Sequence, residues 1–141
     1  IYPAVWGLGQ LITGKMADLF SKKKMLFWGM LIQGIALLFF AFANSFAHYI
    51  SLSVILGIGT ALVYPTFLAS VAENTHPQDR AKSLGVFRLW RDMGYAIGAI
   101  ITGVLVDFFS IKTAIIAIAV LTLFSAIFIA VRMQNKPSTK N

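Results

Sequence analysis

Five apolar segments alternate with short polar breaks along the 141-residue chain. They cover residues 1–14, 25–43, 49–72, 84–106 and 113–131. A helix needs about 20 apolar residues to cross the hydrocarbon core of a bilayer. The last four segments are therefore predicted to span a membrane, whereas the first is interpreted as the end of a helix that begins upstream. Unbroken length favours helices over strands, since no segment alternates in polarity.

The shortness of the breaks predicts the fold class. Neighbouring helices that are joined by only a few residues run in opposite directions. We therefore expect an all-α fold: a polytopic helical membrane protein with an antiparallel transmembrane helix bundle over residues 1–133. The polar residues 134–141 are predicted to form a cytoplasmic tail.

Composition supports a membrane protein. The chain is 58% hydrophobic and 12% charged, against roughly 45–50% and about 25% in ordinary soluble domains. A small soluble domain could not bury that much apolar surface. The chain has no cysteine, which excludes disulfides and sulfur metal sites. The net charge of +7 is concentrated at segment ends, so the expected partner is anionic lipid headgroups and not nucleic acid.

The distribution of lysine and arginine predicts the orientation. If successive segments alternate in direction, one face collects nine basic residues: Lys15, Lys22, Lys23, Lys24, Arg80, Lys82, Arg132, Lys136 and Lys140. The opposite face holds Lys112 alone. Basic residues concentrate on the cytoplasmic side of membrane proteins. The sequence thus predicts a multi-pass protein of the cell (plasma or inner) membrane with a cytoplasmic carboxyl terminus.

The basic break at residues 14–24 has a recognisable pattern. A glycine (Gly14) is followed four residues later by an acid (Asp18) and then by a run of lysines (22–24). This pattern resembles the cytoplasmic loop signature of the major facilitator superfamily. The chain departs from it at Leu19, where an arginine is usual, and at Ser21, where a glycine is usual.

The resemblance implies a place for this chain in a larger protein. The family has the signature once in each six-helix half, and two further helix pairs follow it here. The chain is thus similar to the C-terminal portion of such a transporter, from the end of the eighth helix through the twelfth. The implied function is secondary active transport of a small solute by alternating access, with or without a coupling proton or ion. The implied partners are the missing upstream transmembrane helices of the same transporter.

The resemblance also implies a conformational latch formed by Gly14, Asp18, Lys22, Lys23 and Glu73. In the family arrangement, the Asp18 carboxylate faces the start of the fourth segment, where a helix amino terminus favours negative charge. Glu73 then lies within reach of Lys22 or Lys23. Contacts that break when the cytoplasmic side opens suit alternating access. The alternative is that the lysines only fix the topology.

The fourth segment contains three charges that are unusual within an apolar span. Arg88, Arg91 and Asp92 are spaced so that all three can lie on one side of a helix. Ionised side chains in a membrane helix are costly unless they face the bundle interior or a wet cavity. They are candidates for attracting an anionic solute group or for taking up a coupling proton. A structural ion pair, formed between themselves or across helices, is the alternative.

Polar residues near mid-span are candidates for a solute-facing surface. Thr60 and Tyr64 lie one turn apart beside Pro65, which removes a backbone hydrogen bond. In the family the tenth helix lines the central cavity, and the resemblance extends this role to these two residues. Tyr95 lies at a similar depth, and Trp6 and Gln10 of the first segment complete the candidates. The alternative to a solute contact is a buried tyrosine whose hydroxyl is hydrogen-bonded within the protein, which is at least as common.

A stripe of small residues follows in the fourth segment. Gly94, Gly98 and Gly103 are predicted to let another helix approach closely, since small residues drive helix packing in lipid. The stripe looks like a glycine-rich motif of some exporters in the family, without its proline.

Catalytic and metal-binding patterns are missing from the sequence. His48 and His76 fall on opposite membrane faces, and no nucleophile elbow, zinc-protease or phosphate-loop motif occurs. No cofactor, metal or enzymatic activity is expected. Two alternatives to a transporter remain: a non-transporting membrane scaffold or assembly subunit, and an integral membrane enzyme built on the charges of the fourth segment.

Overall fold

The computed structural model describes residues 1–134, with Asp18 described only in its backbone. It contains five α-helices: α1 Tyr2–Leu19, α2 Lys22–Phe40, α3 Phe46–Glu73, α4 Arg80–Phe108 and α5 Ile111–Arg132. A short 3-10 helix, Pro77–Asp79, leads into α4. The described part of the chain has no strand, so the all-α prediction is confirmed. The predicted tail 134–141 lies outside the described residues except for Gln134.

Within the described residues, four helical stretches are long and apolar enough to cross a membrane: α2, α3, Pro77–Phe108 and α5. The helices run past the predicted apolar segments into the flanking polar residues. The break at residues 14–24 is mostly helical, since α1 continues to Leu19 and α2 begins at Lys22. The interpretation of this break as a loop was wrong. Long basic side chains can extend toward headgroups from within a helical turn, so they need no loop.

Serine caps fix the starts of two spanning helices. The Ser45 hydroxyl accepts a hydrogen bond from the His48 backbone N–H at 3.3 Å, at the start of α3. The Ser110 hydroxyl likewise accepts from the Thr113 N–H at 3.1 Å, at the start of α5. Such caps satisfy backbone donors that have no partner within the helix. They stabilise the starts of α3 and α5 directly after the short connections.

The core consists mainly of small side chains. α2 packs between α3 and α5, and α1 packs on α3, whereas α4 touches α3 and α5 only sparsely. Among the most buried residues are Ala36, Ala61, Ala114, Ala119 and Ala126. Small residues allow the close helix approach that stabilises bundles in lipid. All of α4 is described, and none of its residues is buried.

Glycines mediate a close helix contact between α2 and α3. A Cβ added to Gly29 would lie 3.0 Å from the Gly59 carbonyl oxygen and 2.6 Å from a Val63 methyl. Gly94, Gly98 and Gly103 differ, because no described atom lies within 4 Å of a Cβ added to any of them. The packing role assigned to those three glycines therefore stays a prediction.

Pro65 lies inside α3, yet the helix runs unbroken from Phe46 to Glu73. A proline has no N–H, so the carbonyl of Ala61 lacks its helical donor. The hydroxyl of Thr13, on α1, lies 2.6 Å from that carbonyl oxygen and is buried. Thr13 thus satisfies the carbonyl that Pro65 leaves without a partner and joins α1 to α3.

We expect Thr13→Val to destabilise the bundle, because the Ala61 carbonyl would then be buried without a donor. The loss should be about 1–3 kcal/mol, the usual cost of a buried unsatisfied group. Thr122→Val is a matched control, since the Thr122 hydroxyl only bonds to Ile118 within its own helix. Thermal unfolding of the purified membrane protein measures both. Equal melting temperatures for the two variants would contradict the role of Thr13.

Candidate functional site

A cleft of about 700 Å³ opens between α1, α2, α3 and α4. It is lined by Tyr2, Trp6, Met30, Gln33, Thr60, Val63, Tyr64, Phe67, Phe87, Trp90, Arg91 and Tyr95. Seven of these twelve side chains are aromatic. Clefts with mostly apolar walls and a few polar groups are typical of small-molecule sites.

One wall of the cleft is formed by α1 and α3. The Tyr2 hydroxyl donates a hydrogen bond to the Thr60 hydroxyl oxygen at 3.2 Å. The Trp6 ring stacks on Tyr2 and meets the Tyr64 ring edge-on, with centroids 6.3 and 6.1 Å apart respectively. The indole N–H of Trp6 is buried and has no hydrogen-bond acceptor among the described residues. This wall is therefore aromatic, with a few polar atoms set into it.

The opposite wall belongs to α4, and Arg91 dominates it. Its Nη1 donates a hydrogen bond to the Tyr64 hydroxyl at 3.0 Å, which links α4 to α3. Its Nε and Nη2 lie 2.9 and 2.8 Å from Asp92 Oδ1. The guanidinium carbon lies 5.5 Å from the Tyr64 ring centroid and 5.9 Å from that of Tyr95. The guanidinium is thus paired with a carboxylate and placed against two aromatic rings.

Basic and acidic residues meet at one end of the bundle. Lys22 Nζ lies 3.0 Å from Glu73 Oε2, which joins the start of α2 to the end of α3. Lys23 lines a smaller pocket, about 350 Å³, beside this ion pair. Met133, just after α5, lines the same pocket. The ends of α1, α3 and α5 therefore lie together, as alternating helix directions require.

The opposite end of the bundle has a different contact. Lys112 Nζ lies 4.2 Å above the ring of Phe42, so the connection after α2 meets the start of α5. Lys112 is the basic residue that the sequence assigns to this face. The structure therefore separates it from the basic residues at the other end.

Comparison with known proteins identifies the family. The family model described as Major Facilitator Superfamily matches residues 1–141. The chain belongs to the major facilitator superfamily.

Curated relatives in this superfamily are similar along most of the chain. The inner membrane transport protein YnfM of Escherichia coli is 27% identical over 90% of the chain and 30% of its own length. Multidrug resistance protein 2 of Bacillus subtilis is 29% identical over 84% of the chain and 32% of its own length. The methyl viologen resistance protein SmvA of Salmonella typhimurium is 32% identical over 77% of the chain and 22% of its own length. The chain spans about a third or less of the length of these superfamily members.

The structure brings some of the predicted solute-facing residues of this superfamily member together. Trp6, Thr60, Tyr64, Arg91 and Tyr95 line one cleft. Asp92 does not line it but binds Arg91 from the rim, with a side chain that is 59% exposed.

Gln10 and Arg88 lie outside the cleft. Arg88 is exposed and forms no ion pair with the described residues. Arg91 pairs with Asp92, its sequence neighbour, and its contact across helices is a tyrosine hydroxyl. The structure thus brings Arg91 and Asp92 together as an ion pair at the edge of the cleft, and the roles considered for these charges stay predictions.

The predicted latch residues are only partly described. Lys22 and Glu73 form the ion pair above, and nothing lies within 4 Å of a Cβ added to Gly14 among the described residues. The side chain of Asp18 lies outside the described part of the structure. The latch as a whole stays a prediction.

Sequence reasoning missed several cleft residues, and Gln33 is the most informative of them. It is the only polar side chain of α2 after the lysines, and it lines the cleft. A lone amide within an apolar span was the available signal, because polar groups in lipid need a partner or water. Tyr2 and Trp90 gave no such signal, since aromatic residues are frequent throughout membrane helices.

Proposed function

We propose that this chain forms the C-terminal part of a secondary transporter that moves a small organic solute by alternating access. The observation that carries the proposal is the cleft itself. It combines an aromatic wall, hydroxyl and amide groups, and a paired arginine, and three of its four helices (α2, α3 and α4) are long enough to span a membrane. An enzyme would need a reactive constellation, whereas these side chains are suited to holding a solute.

The depth of the polar groups supports a solute pathway. Thr60 lies near the middle of the 28-residue α3. Arg91 lies about three turns inside α4, at 3.6 residues per turn. In transporters of this general design, solute sites lie near the bilayer midplane between helices. The cleft would then form one wall of a cavity whose other wall comes from the upstream helices.

The direction and orientation are part of the same proposal. The names of two relatives, a multidrug resistance protein and a methyl viologen resistance protein, support export of toxic organic compounds. The end of the bundle with Lys22 and Lys23 would face the cytoplasm, where anionic headgroups attract basic residues. The carboxyl terminus would then also be cytoplasmic.

The ion pair at this end supports a cytoplasmic latch. Lys22 and Glu73 join α2 to α3, with side chains that are 16% and 37% exposed. A pair at a rim that water can reach is weak enough to open and close. We propose that Gly14, Asp18 and Lys23 belong to the same latch and that it holds the cytoplasmic side shut.

The transport proposal is tested in cells that express the complete transporter. Accumulation of three dyes is measured with and without a protonophore: ethidium (a cation), Nile red (neutral) and fluorescein (an anion). We expect at least one dye to be exported. Gln33→Leu should then lower its export rate roughly threefold to tenfold, because a hydrogen-bonding group of the cleft is lost.

Gln10→Leu is the matched control for that experiment. It makes the same change at a half-buried glutamine that the structure places outside the cleft. The export rate of this variant should stay within about twofold of that of the unchanged transporter, which corresponds to a free-energy change of less than about 0.5 kcal/mol. Unaltered accumulation of all three dyes on expression would reject the proposed transport. Equal effects of the two substitutions would reject the cleft as the solute site.

A further inference from the structure

The guanidinium of Arg91 already occupies a cation site formed by two aromatic rings of the cleft. Its carbon lies 5.5 Å from the Tyr64 ring centroid and 5.9 Å from the Tyr95 centroid. The faces of aromatic rings carry partial negative charge and attract cations at such distances. The two rings come from different helices, α3 and α4, so they form a site between helices.

The charge of Arg91 is already balanced. Asp92 Oδ1 lies 2.9 Å from Nε and 2.8 Å from Nη2, and the Tyr64 hydroxyl accepts a further hydrogen bond from Nη1. The other side chains that line the cleft have no formal charge. An anionic solute would therefore meet a neutralised arginine and the negative faces of several rings.

We propose that Arg91 is a tethered cation that holds the aromatic site until a solute replaces it, and that the solute is a lipophilic cation. On binding, the solute cation would take the faces of Tyr64 and Tyr95 and use the Asp92 carboxylate as its counter-ion. This inference rests on the proposed transport function and assigns a chemical class of substrate to the same cleft.

The surroundings of Arg91 permit this exchange. Its side chain is 25% exposed, and that of Asp92 is 59% exposed. Among the described residues, the polar contacts of the guanidinium are those with Asp92 and Tyr64, so it can swing away by breaking these contacts. Arginine has a long, flexible stem, which lets its head group move while the backbone stays in place.

Equilibrium binding to the purified complete transporter tests the inference. The two probes are tetraphenylphosphonium and tetraphenylborate, which have the same shape and opposite charge. Arg91→Ala should bind tetraphenylphosphonium roughly threefold to tenfold more tightly, because it frees the aromatic faces and the carboxylate. It should bind tetraphenylborate more weakly. Asp92→Asn should weaken tetraphenylphosphonium binding.

Two further variants keep the test decisive. Arg88→Ala removes the same charge from the same helix at an exposed position outside the cleft, and both affinities should stay within about twofold. Arg91→Met keeps most of the stem and replaces Arg91→Ala if the latter unfolds at a lower temperature. Its tetraphenylphosphonium affinity should rise as well.

Opposite results would overturn the inference. Weaker tetraphenylphosphonium binding by the Arg91 variants would show that the arginine assists the solute. If the unchanged transporter bound tetraphenylborate more tightly than tetraphenylphosphonium, the substrate would be an anion. Failure of the unchanged transporter to bind tetraphenylphosphonium would also reject a lipophilic cation. Binding as expected without any dye export would support the cation site and reject the proposed transport.

Discussion

Gly29→Leu is expected to abolish folding of the bundle. A Cβ at this position would lie 3.0 Å from the Gly59 carbonyl oxygen and 2.6 Å from a Val63 methyl. The carbonyl belongs to the backbone of α3, so it cannot turn away as a side chain could. Overpacking of a core by extra methylenes typically costs about 1–3 kcal/mol, and separating two helix backbones should cost more. Monodisperse protein recovered from membranes in detergent is the measurement.

A graded pair of substitutions makes this result specific. Gly29→Ala adds only the Cβ and should lower the melting temperature clearly, at a cost of about 1–3 kcal/mol. Gly7→Ala is the control, because no described atom lies within 4 Å of its added Cβ. Alanine also favours helix over glycine, so this variant should be at least as stable as the parent. A Gly29→Leu transporter with the parent's yield and melting temperature would disprove the close helix contact.

Charge reversal at the Lys22–Glu73 ion pair is expected to have the largest effect on transport. Lys22→Glu places two carboxylates where a cation and an anion now lie 3.0 Å apart. Exposed ion pairs contribute only about 0–1 kcal/mol to stability, so the amount of inserted protein should change little. If the pair holds the cytoplasmic side shut, dye export should fall by about tenfold, which corresponds to 1.4 kcal/mol of altered gating.

The swapped double variant provides the decisive control. Lys22→Glu combined with Glu73→Lys restores opposite charges, and export should recover to within about threefold of the parent, equivalent to less than 1 kcal/mol. Lys24→Glu changes the same number of charges at an exposed lysine outside the ion pairs of the described residues. If Lys24→Glu and Lys22→Glu reduce export equally, the lysines act on topology and the latch is wrong.

The sequence was sufficient for the spanning helices, since apolar length follows directly from bilayer thickness. It was misleading at residues 14–24, where a run of charges suggested a loop. Helical hydrogen bonds continue through Leu19 and resume at Lys22. Polarity indicates where a chain meets water, and a helix can extend across that boundary. The hydrophobic pattern alone could therefore not predict the backbone conformation of these residues.

The cleft was only partly predictable. Thr60, Tyr64 and Arg91 could be recognised as polar groups inside apolar spans. That Tyr64 accepts a hydrogen bond from Arg91 depends on how α3 and α4 rotate against each other, which no local pattern encodes. The close glycine contact was missed for the same reason, because Gly29 and Gly59 are far apart in sequence and meet only in the folded bundle.

The Thr13 hydroxyl donates a hydrogen bond to the Ala61 carbonyl, which has no helical donor because of Pro65. This bond has a mechanical consequence. It joins α1 to the middle of α3 in addition to their packing, so we expect these two helices to move together. α4 touches α3 more sparsely, and the Arg91–Tyr64 hydrogen bond is one of the contacts that join them. A proline that usually weakens a helix here leaves the acceptor through which α1 is joined to α3.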